Sequence, residues 1–141
     1  MDHNMFCFQC EQTAGCTGCT IRGVCGKDAQ TAQAQDRLTG ALIGLARAAD
    51  TSPDAGPETW QLMIEGLFAT LTNVNFDPDS LNALAGRVRA EKQRLVPDCA
   101  VCTAPCGRTG DYDLAQLWGA QEDIRSLKSL LLFGSRGMAA Y

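Results

Sequence analysis

The chain has 141 residues, of which 45% are hydrophobic, and its formal net charge is −4 at pH 7. This length corresponds to one domain of ordinary size, and no apolar run is long enough to span a bilayer. The negative charge argues against nucleic-acid binding, which needs a basic surface, and it favours docking to a basic redox partner protein.

Residues 1–4 contain no apolar stretch typical of a secretory signal, and we therefore expect a cytoplasmic protein. His3 is the only histidine, and we interpret it as a solvated terminal residue. Dense cysteines in a cytoplasmic chain hold metal or carry out redox chemistry more often than they form structural disulfides.

The next feature is a cysteine-rich loop, residues 1–27. Its five cysteines are Cys7, Cys10, Cys16, Cys19 and Cys25. Thiolates are the soft ligands that bind iron and zinc in proteins. Glycines in the same loop can adopt positive φ angles and bring the backbone close to the sulfurs; they are Gly15, Gly18, Gly23 and Gly26.

The spacing permits several sets of four ligands. One set would form a paired Cys-x2-Cys zinc site from Cys7, Cys10, Cys16 and Cys19. Its spacer is shorter than the roughly 12–20 residues usual between zinc-binding pairs, whereas a dense run suits an iron–sulfur cube. A structural zinc-binding interaction module is the alternative function. A third alternative is that the cluster has been lost and the cysteines have oxidised.

A more specific motif spans the loop. It reads Met5-Phe6-Cys7-Phe8-Gln9-Cys10-Glu11-Gln12-Thr13, then Thr17-Gly18-Cys19-Thr20 and Gly23-Val24-Cys25-Gly26-Lys27. This motif closely resembles the N-terminus of the hybrid-cluster (prismane) protein family, whose members are hydroxylamine reductases. The resemblance implies one cubane [4Fe–4S] cluster, held by Cys7, Cys10, Cys19 and Cys25. It leaves Cys16 unassigned.

The resemblance also bears on catalysis. Residues 102–108, 111–113 and 123–141 are similar to the later part of the family's N-terminal domain. The family's hybrid iron–sulfur–oxygen cluster uses a histidine, glutamates and cysteines beyond the equivalent of Tyr141. The resemblance thus implies an electron-transfer domain without catalytic residues or a hybrid cluster, which serves catalytic domains that are missing here. Because the last helical pattern runs to Tyr141 without a stop signal, we expect a fragment.

Helical patterns dominate the rest of the chain. They cover residues 28–50, 57–72 and a segment that begins at Asp77-Pro78 and runs to Pro97. A short helix or turn follows at residues 111–119, and a last helix begins near Gln121. We expect an all-α, up-and-down bundle of about four main helices over residues 28–141, forming one structural domain with the cysteine loop. Trp60 and Trp118 are expected to pack in the core.

A second group of cysteines consists of Cys99, Cys102 and Cys106. One interpretation is a structural loop with free thiols. Another is a second metal site, in which Cys16 supplies the fourth ligand to these three cysteines. A zinc site and a redox disulfide are further alternatives.

Overall fold

The computed structural model describes residues 5–7, 9–10, 18–97 and 110–141. These ranges contain five helices: α1 (Ala29–Thr51), α2 (Pro57–Ala69), α3 (Pro78–Leu95), α4 (Leu114–Trp118) and α5 (Glu122–Ala139). Within the same ranges there is no strand, and the only β-type pairing is an isolated antiparallel bridge between Cys7 and Cys19. The expected all-α class is confirmed. The division into residues 1–27 and 28–141 stays a prediction.

Side-chain caps fix where three of the helices begin. Asp28 accepts a hydrogen bond of 2.8 Å from the backbone N–H of Thr31 and caps α1. Asp77 stands before Pro78 and caps α3, as the sequence predicts, and Asp113 caps α4. An aspartate oxygen satisfies an N–H group that the first helical turn would leave unpaired. The helix starts are therefore local properties of the sequence.

The core forms where α1 packs against α2 and α3. Its largest apolar side chains from α1 and α3 are Leu38, Leu42, Leu45, Leu81, Leu84, Val88 and Leu95. The segment before α4 crosses α1 at Gly40, whose carbonyl accepts a 3.0 Å hydrogen bond from the N–H of Tyr112. A Cβ atom on Gly40 would lie 2.3 Å from the Tyr112 carbonyl oxygen, so this crossing requires glycine.

The buried face of α2 differs from the expected one. Trp60 is 47% exposed, and the prediction that it packs in the core is wrong. The face that meets α1 instead carries small residues: a Cβ on Gly66 would lie 2.6 Å from a methyl carbon of Leu42. Close helix approach selects small side chains, and helical spacing alone does not reveal which face is buried. Trp118 is half-buried, with its ring 5.9 Å from that of Phe6.

Helix α5 carries an exposed apolar stripe, formed by Ile124, Leu127, Leu130, Leu131 and Met138. Its buried residue is instead Arg136, which is 2% exposed. None of the described helices combines the length with the apolar character that crossing a membrane demands.

Candidate metal centre

The cysteine loop is anchored on the first turns of α1. The N–H of Cys7 donates a 3.1 Å hydrogen bond to the carbonyl of Cys19, which brings two distant parts of the loop side by side. Met5 and Cys7 are buried against Ala32 of α1, and Cys19 packs against the same small cluster. The backbone bond orders the loop internally, and the apolar contacts place the loop on the bundle.

A tight turn carries the chain from Cys19 to α1. The N–H of Gly23 donates to the carbonyl of Lys27 at 2.7 Å, and that of Gly26 donates to Gly23 at 2.8 Å. Gly26 has a φ of +95°, a conformation that side-chain-bearing residues rarely adopt. Gly23 is required for close approach, since a Cβ there would lie 3.0 Å from Cys25 Sγ.

Among the loop glycines that the structure describes, Gly26 uses the positive φ that the sequence permits at each of them. Gly15 lies outside the described residues.

Four predicted ligands line one cavity of about 310 Å³, shared with Gln9, Lys27 and the loop after α2. These ligands are Cys7, Cys10, Cys19 and Cys25. No three His, Cys, Asp or Glu side chains in the described part of the chain are grouped around a point where a single metal ion would sit. The candidates for a second site, Cys16, Cys99, Cys102 and Cys106, lie outside the described residues.

Two donors approach the sulfurs of this cavity. The backbone N–H of Val24 lies 3.4 Å from Cys19 Sγ, and the Nζ of Lys27 lies 3.8 Å from Cys7 Sγ. Burial raises the pKa of the Cys7 thiol, while the backbone N–H of Gln9 and the charge of Lys27 act in the opposite direction. The charge of Lys27 would therefore favour a deprotonated, metal-binding sulfur at Cys7.

Lys27 is itself buried, at 2% exposed. Its ammonium donates to Oε1 of Gln35 as well as to Cys7 Sγ. The amide nitrogen of Gln35 donates in turn to the carbonyl of Asn75 at 2.9 Å. Two acceptors thus hold the Lys27 ammonium beside the cavity, and one of them, Gln35, is itself fixed by its bond to Asn75.

A second buried cation, Arg136 of α5, reaches the same loop. Its Nε donates to Thr70 Oγ1 and its Nη2 to Thr39 Oγ1, both at 2.9 Å. Nη2 also donates to Oε1 of Gln9 at 2.5 Å, and Nε2 of Gln9 donates to Asp36. The guanidinium therefore joins α5, α1 and the cysteine loop through one hydrogen-bond network.

Burial shapes the ionisation of this network. It raises the pKa of Asp36 to about 7, against the hydrogen bond from Gln9 and the charges of Arg136, Lys27 and Arg37. Burial also lowers the pKa of Arg136 to about 10, so the guanidinium remains charged at neutral pH. A protonated Asp36 is accordingly well populated near pH 7.

Sequence reasoning missed these buried polar residues. One signal was present in α1, where Thr31, Gln35 and Thr39 recur every four residues and are all buried. Polar side chains at that spacing, beside the apolar residues of the same helix, indicate a face that contacts other polar groups. No local signal marks Arg136, whose partner Gln9 is 127 residues away in the chain.

Comparison with known proteins adds to this geometry. The model of the Prismane/CO dehydrogenase family matches residues 5–141. The chain is 39% identical over 158 residues to the hydroxylamine reductase of Desulfitobacterium hafniense (strain Y51), a match that covers 98% of this chain and 29% of that protein. It is 36% identical over 168 residues to the hydroxylamine reductase of Kosmotoga olearia, with 98% of this chain and 30% of that protein covered.

A third relative, the hydroxylamine reductase of Clostridium perfringens (strain 13 / Type A), is 39% identical over 159 residues, and the match covers 98% of this chain and 29% of that protein. The chain thus spans about three tenths of the length of the curated relatives it matches. With a family match over nearly its whole length, this chain belongs to the Prismane/CO dehydrogenase family.

Proposed function

We propose that this chain is the iron–sulfur electron-transfer domain of a hydroxylamine reductase-type oxidoreductase. Its ligands to one [4Fe–4S] cluster are Cys7, Cys10, Cys19 and Cys25. The observation that carries the proposal is the cavity of about 310 Å³ that all four cysteines line. A single zinc ion would need four ligand atoms about 2.0–2.3 Å from one point, whereas a cubane cluster spaces its four sulfurs around a larger group.

The residues around the cavity fit an anionic iron–sulfur group. Four thiolates are its usual ligands, and the N–H of Val24 and the ammonium of Lys27 supply positive potential at two of the sulfurs. When bound, such a cluster takes up and releases one electron. The protein's own part is to hold the four sulfurs, to offset their charge and to tie the loop to α1. We infer a cytoplasmic location, because a reducing compartment keeps metal-binding cysteines from forming disulfides.

The relatives are named hydroxylamine reductases, and the matched part is about three tenths of their length. We infer that the reaction takes place at a centre in the remaining part of such a protein. The 141-residue chain then has no catalytic residues of its own and does not carry the family's hybrid cluster.

Two partners fit this role. The apolar stripe of α5 suits burial against the further domains of a longer family protein, because large exposed apolar faces usually mark contact surfaces. The net charge of −4 favours an electron donor with a basic docking face.

The deciding experiment is a metal analysis of the chain purified without oxygen and reconstituted with ferrous iron and sulfide. We expect about four irons and four sulfides per chain, and a brown protein with broad absorption near ~400 nm. About eight irons would reveal a second cluster that involves Cys16 and the cysteines of residues 99–106. A colourless protein with stoichiometric zinc would overturn the proposal in favour of a structural zinc module.

Activity provides a separate check on the missing catalytic centre. The reconstituted chain should not oxidise a reduced dye when hydroxylamine is added. Turnover of hydroxylamine by this chain would show that the reaction needs no further domain.

A further inference from the structure

We propose that Lys27 is a positioning residue for the cluster, which donates a hydrogen bond to the Cys7 ligand and raises the cluster's midpoint potential. This inference rests on the proposed function, since it concerns the cluster that Cys7, Cys10, Cys19 and Cys25 would hold. It assigns a role to a buried cation that ligation itself does not require.

The first step is the burial of the ammonium. Lys27 is 2% exposed, and its hydrogen-bond acceptors among the described residues are Cys7 Sγ and Gln35 Oε1. A lysine charge is costly to bury unless an opposite charge or several acceptors compensate it. Gln35 is neutral and is itself held by the carbonyl of Asn75. When Cys7 binds the cluster as a thiolate, it is the anion that the Lys27 ammonium would directly contact.

The second step is the rigidity of this contact. The carbonyl of Lys27 accepts the N–H of Gly23 at 2.7 Å, inside the turn that carries Cys25. A Cβ at Gly23 would lie 3.1 Å from the Lys27 Cβ and 3.0 Å from Cys25 Sγ. The backbone of Lys27 is therefore hydrogen-bonded to Gly23, which itself lies close to the Cys25 sulfur, while the Lys27 Nζ reaches Cys7.

The third step is the charge balance of reduction. Reduction would add one electron to the bound cluster from an external reductant such as dithionite, without forming or breaking a bond. A fixed positive charge in a poorly solvated site stabilises the more negative, reduced cluster more than the oxidised one. The other charged groups near this site are Asp36, which Gln9 engages, and Arg136. Loss of the Lys27 charge should therefore lower the midpoint potential.

The test uses two variants of the reconstituted chain. Lys27→Met removes the charge and the donor at similar length, and Lys27→Gln removes the charge but keeps a donor. Arg22→Met is the matched control, because Arg22 lies in the same loop but is exposed and, among the described residues, donates to the Gly26 carbonyl at 3.3 Å. Each protein is titrated with dithionite, and the reduced cluster is followed by electron paramagnetic resonance.

We expect both Lys27 variants to have lower midpoint potentials than the wild type, with the larger decrease in Lys27→Met. The potential of Arg22→Met should stay near the wild-type value, because water and salt screen an exposed charge. The difference caused by Lys27 should persist at high salt, since a buried charge is screened much less.

Iron counts distinguish a failure of the proposed function from a failure of the inference about Lys27. If the wild type binds no iron, the proposed function fails. If the variants bind about four irons with an unchanged potential, the inference about Lys27 is overturned and the proposed function stands. If both Lys27 variants keep their helix content but bind no cluster, Lys27 is needed for ligation itself, and the proposed tuning role is likewise overturned.

Discussion

Arg136 donates a 2.5 Å hydrogen bond from its Nη2 to Oε1 of Gln9, across 127 residues of sequence. Gln9 lies between the candidate ligands Cys7 and Cys10, so this bond connects α5 directly to the cysteine loop. The same guanidinium also binds a threonine of α1 and Thr70, which follows α2. The stability of the bundle and the order of the loop therefore depend on one side chain.

We expect Arg136→Met to lower the free energy of unfolding by about 3 kcal/mol, because it leaves buried polar partners unsatisfied. The measurement is urea unfolding followed by circular dichroism. The matched control is Arg87→Met, which removes an exposed pair with Glu65 at 2.6 Å, with 59% of the Arg87 side chain accessible. Its effect should be at most about 1 kcal/mol. Equal losses in both variants would contradict the structural role given to Arg136.

Asp36 should make the stability of the cluster-free chain fall as pH rises. Its pKa is raised to about 7 in the folded chain, from a value near 4 in the unfolded chain. Between these two values the unfolded chain has released the proton and the folded chain still holds it, so increasing pH favours unfolding. The decline lies between about pH 4 and pH 7 and amounts to at most about 4 kcal/mol, since one pKa unit is about 1.4 kcal/mol.

Asp36→Asn should remove this decline and should be more stable than the wild type at pH 8, with little difference near pH 4. Urea unfolding at several pH values measures it. Asp50→Asn changes an exposed carboxylate of the same helix and serves as the control. Parallel stability curves for the wild type and Asp36→Asn would refute the raised pKa.

The crossing at Gly40 should not tolerate a methyl group. Gly40→Ala places a Cβ about 2.3 Å from the Tyr112 carbonyl oxygen, and we expect a loss of about 1–3 kcal/mol from the backbone shift it forces. Gly86→Ala is the matched control in α3, where a Cβ meets nothing within 4 Å. There the better helix propensity of alanine should stabilise the chain by about 0.5–1 kcal/mol. Thermal unfolding measures the stability of both variants. If Gly40→Ala and Gly86→Ala changed the stability in the same direction, the close approach of Gly40 to Tyr112 would be contradicted.

The two cysteine groups should respond differently to substitution. Cys10→Ala removes a residue that lines the cavity, and we expect the reconstituted variant to lose the iron of the [4Fe–4S] cluster. Cys102→Ala, outside the described residues, should keep about four irons per chain. Iron and sulfide analysis distinguishes these outcomes. If Cys102→Ala also lost the iron of the [4Fe–4S] cluster, the assignment of its four ligands would be wrong.

The apolar stripe of α5 should cause the isolated chain to self-associate. Leu130 and Leu131 are 68% and 71% exposed, and contiguous exposed apolar surface promotes association in water. The double variant Leu130→Lys, Leu131→Lys should sediment as a monomer at concentrations where the wild type does not. Ser126→Lys adds charge to the same helix outside the stripe and should leave association largely unchanged. Identical sedimentation of all three proteins would remove this support for a docking face on α5.

Much of the fold follows from local sequence features. The helix start at Asp77-Pro78 needs only a capping carboxylate and a proline, and α3 begins there. The four cysteines proposed as ligands lie within 19 residues and line one cavity, so their grouping also depends on short-range sequence. The buried face of α2 could not be predicted in this way, because Gly66 makes the close contact while Trp60 faces solvent.

The missed part of the site depends on tertiary contacts. Lys27 is a charged residue in a glycine-rich loop, and only the fold shows that it is buried beside Cys7. The bond between Gln9 and Arg136 has no counterpart in any local pattern. Long-range polar contacts of this kind arise from how helices pack, which periodicity does not determine.

The anchoring of Gln9 by Arg136 makes ligand binding and folding thermodynamically linked. Any group that binds the ordered loop and not the unfolded chain must stabilise every element that holds the loop in place. We therefore expect loading of the cluster to slow amide hydrogen exchange in α5, which contributes no ligand. By the same linkage, unfolding of α5 should weaken the affinity of the four cysteines for the group that they bind.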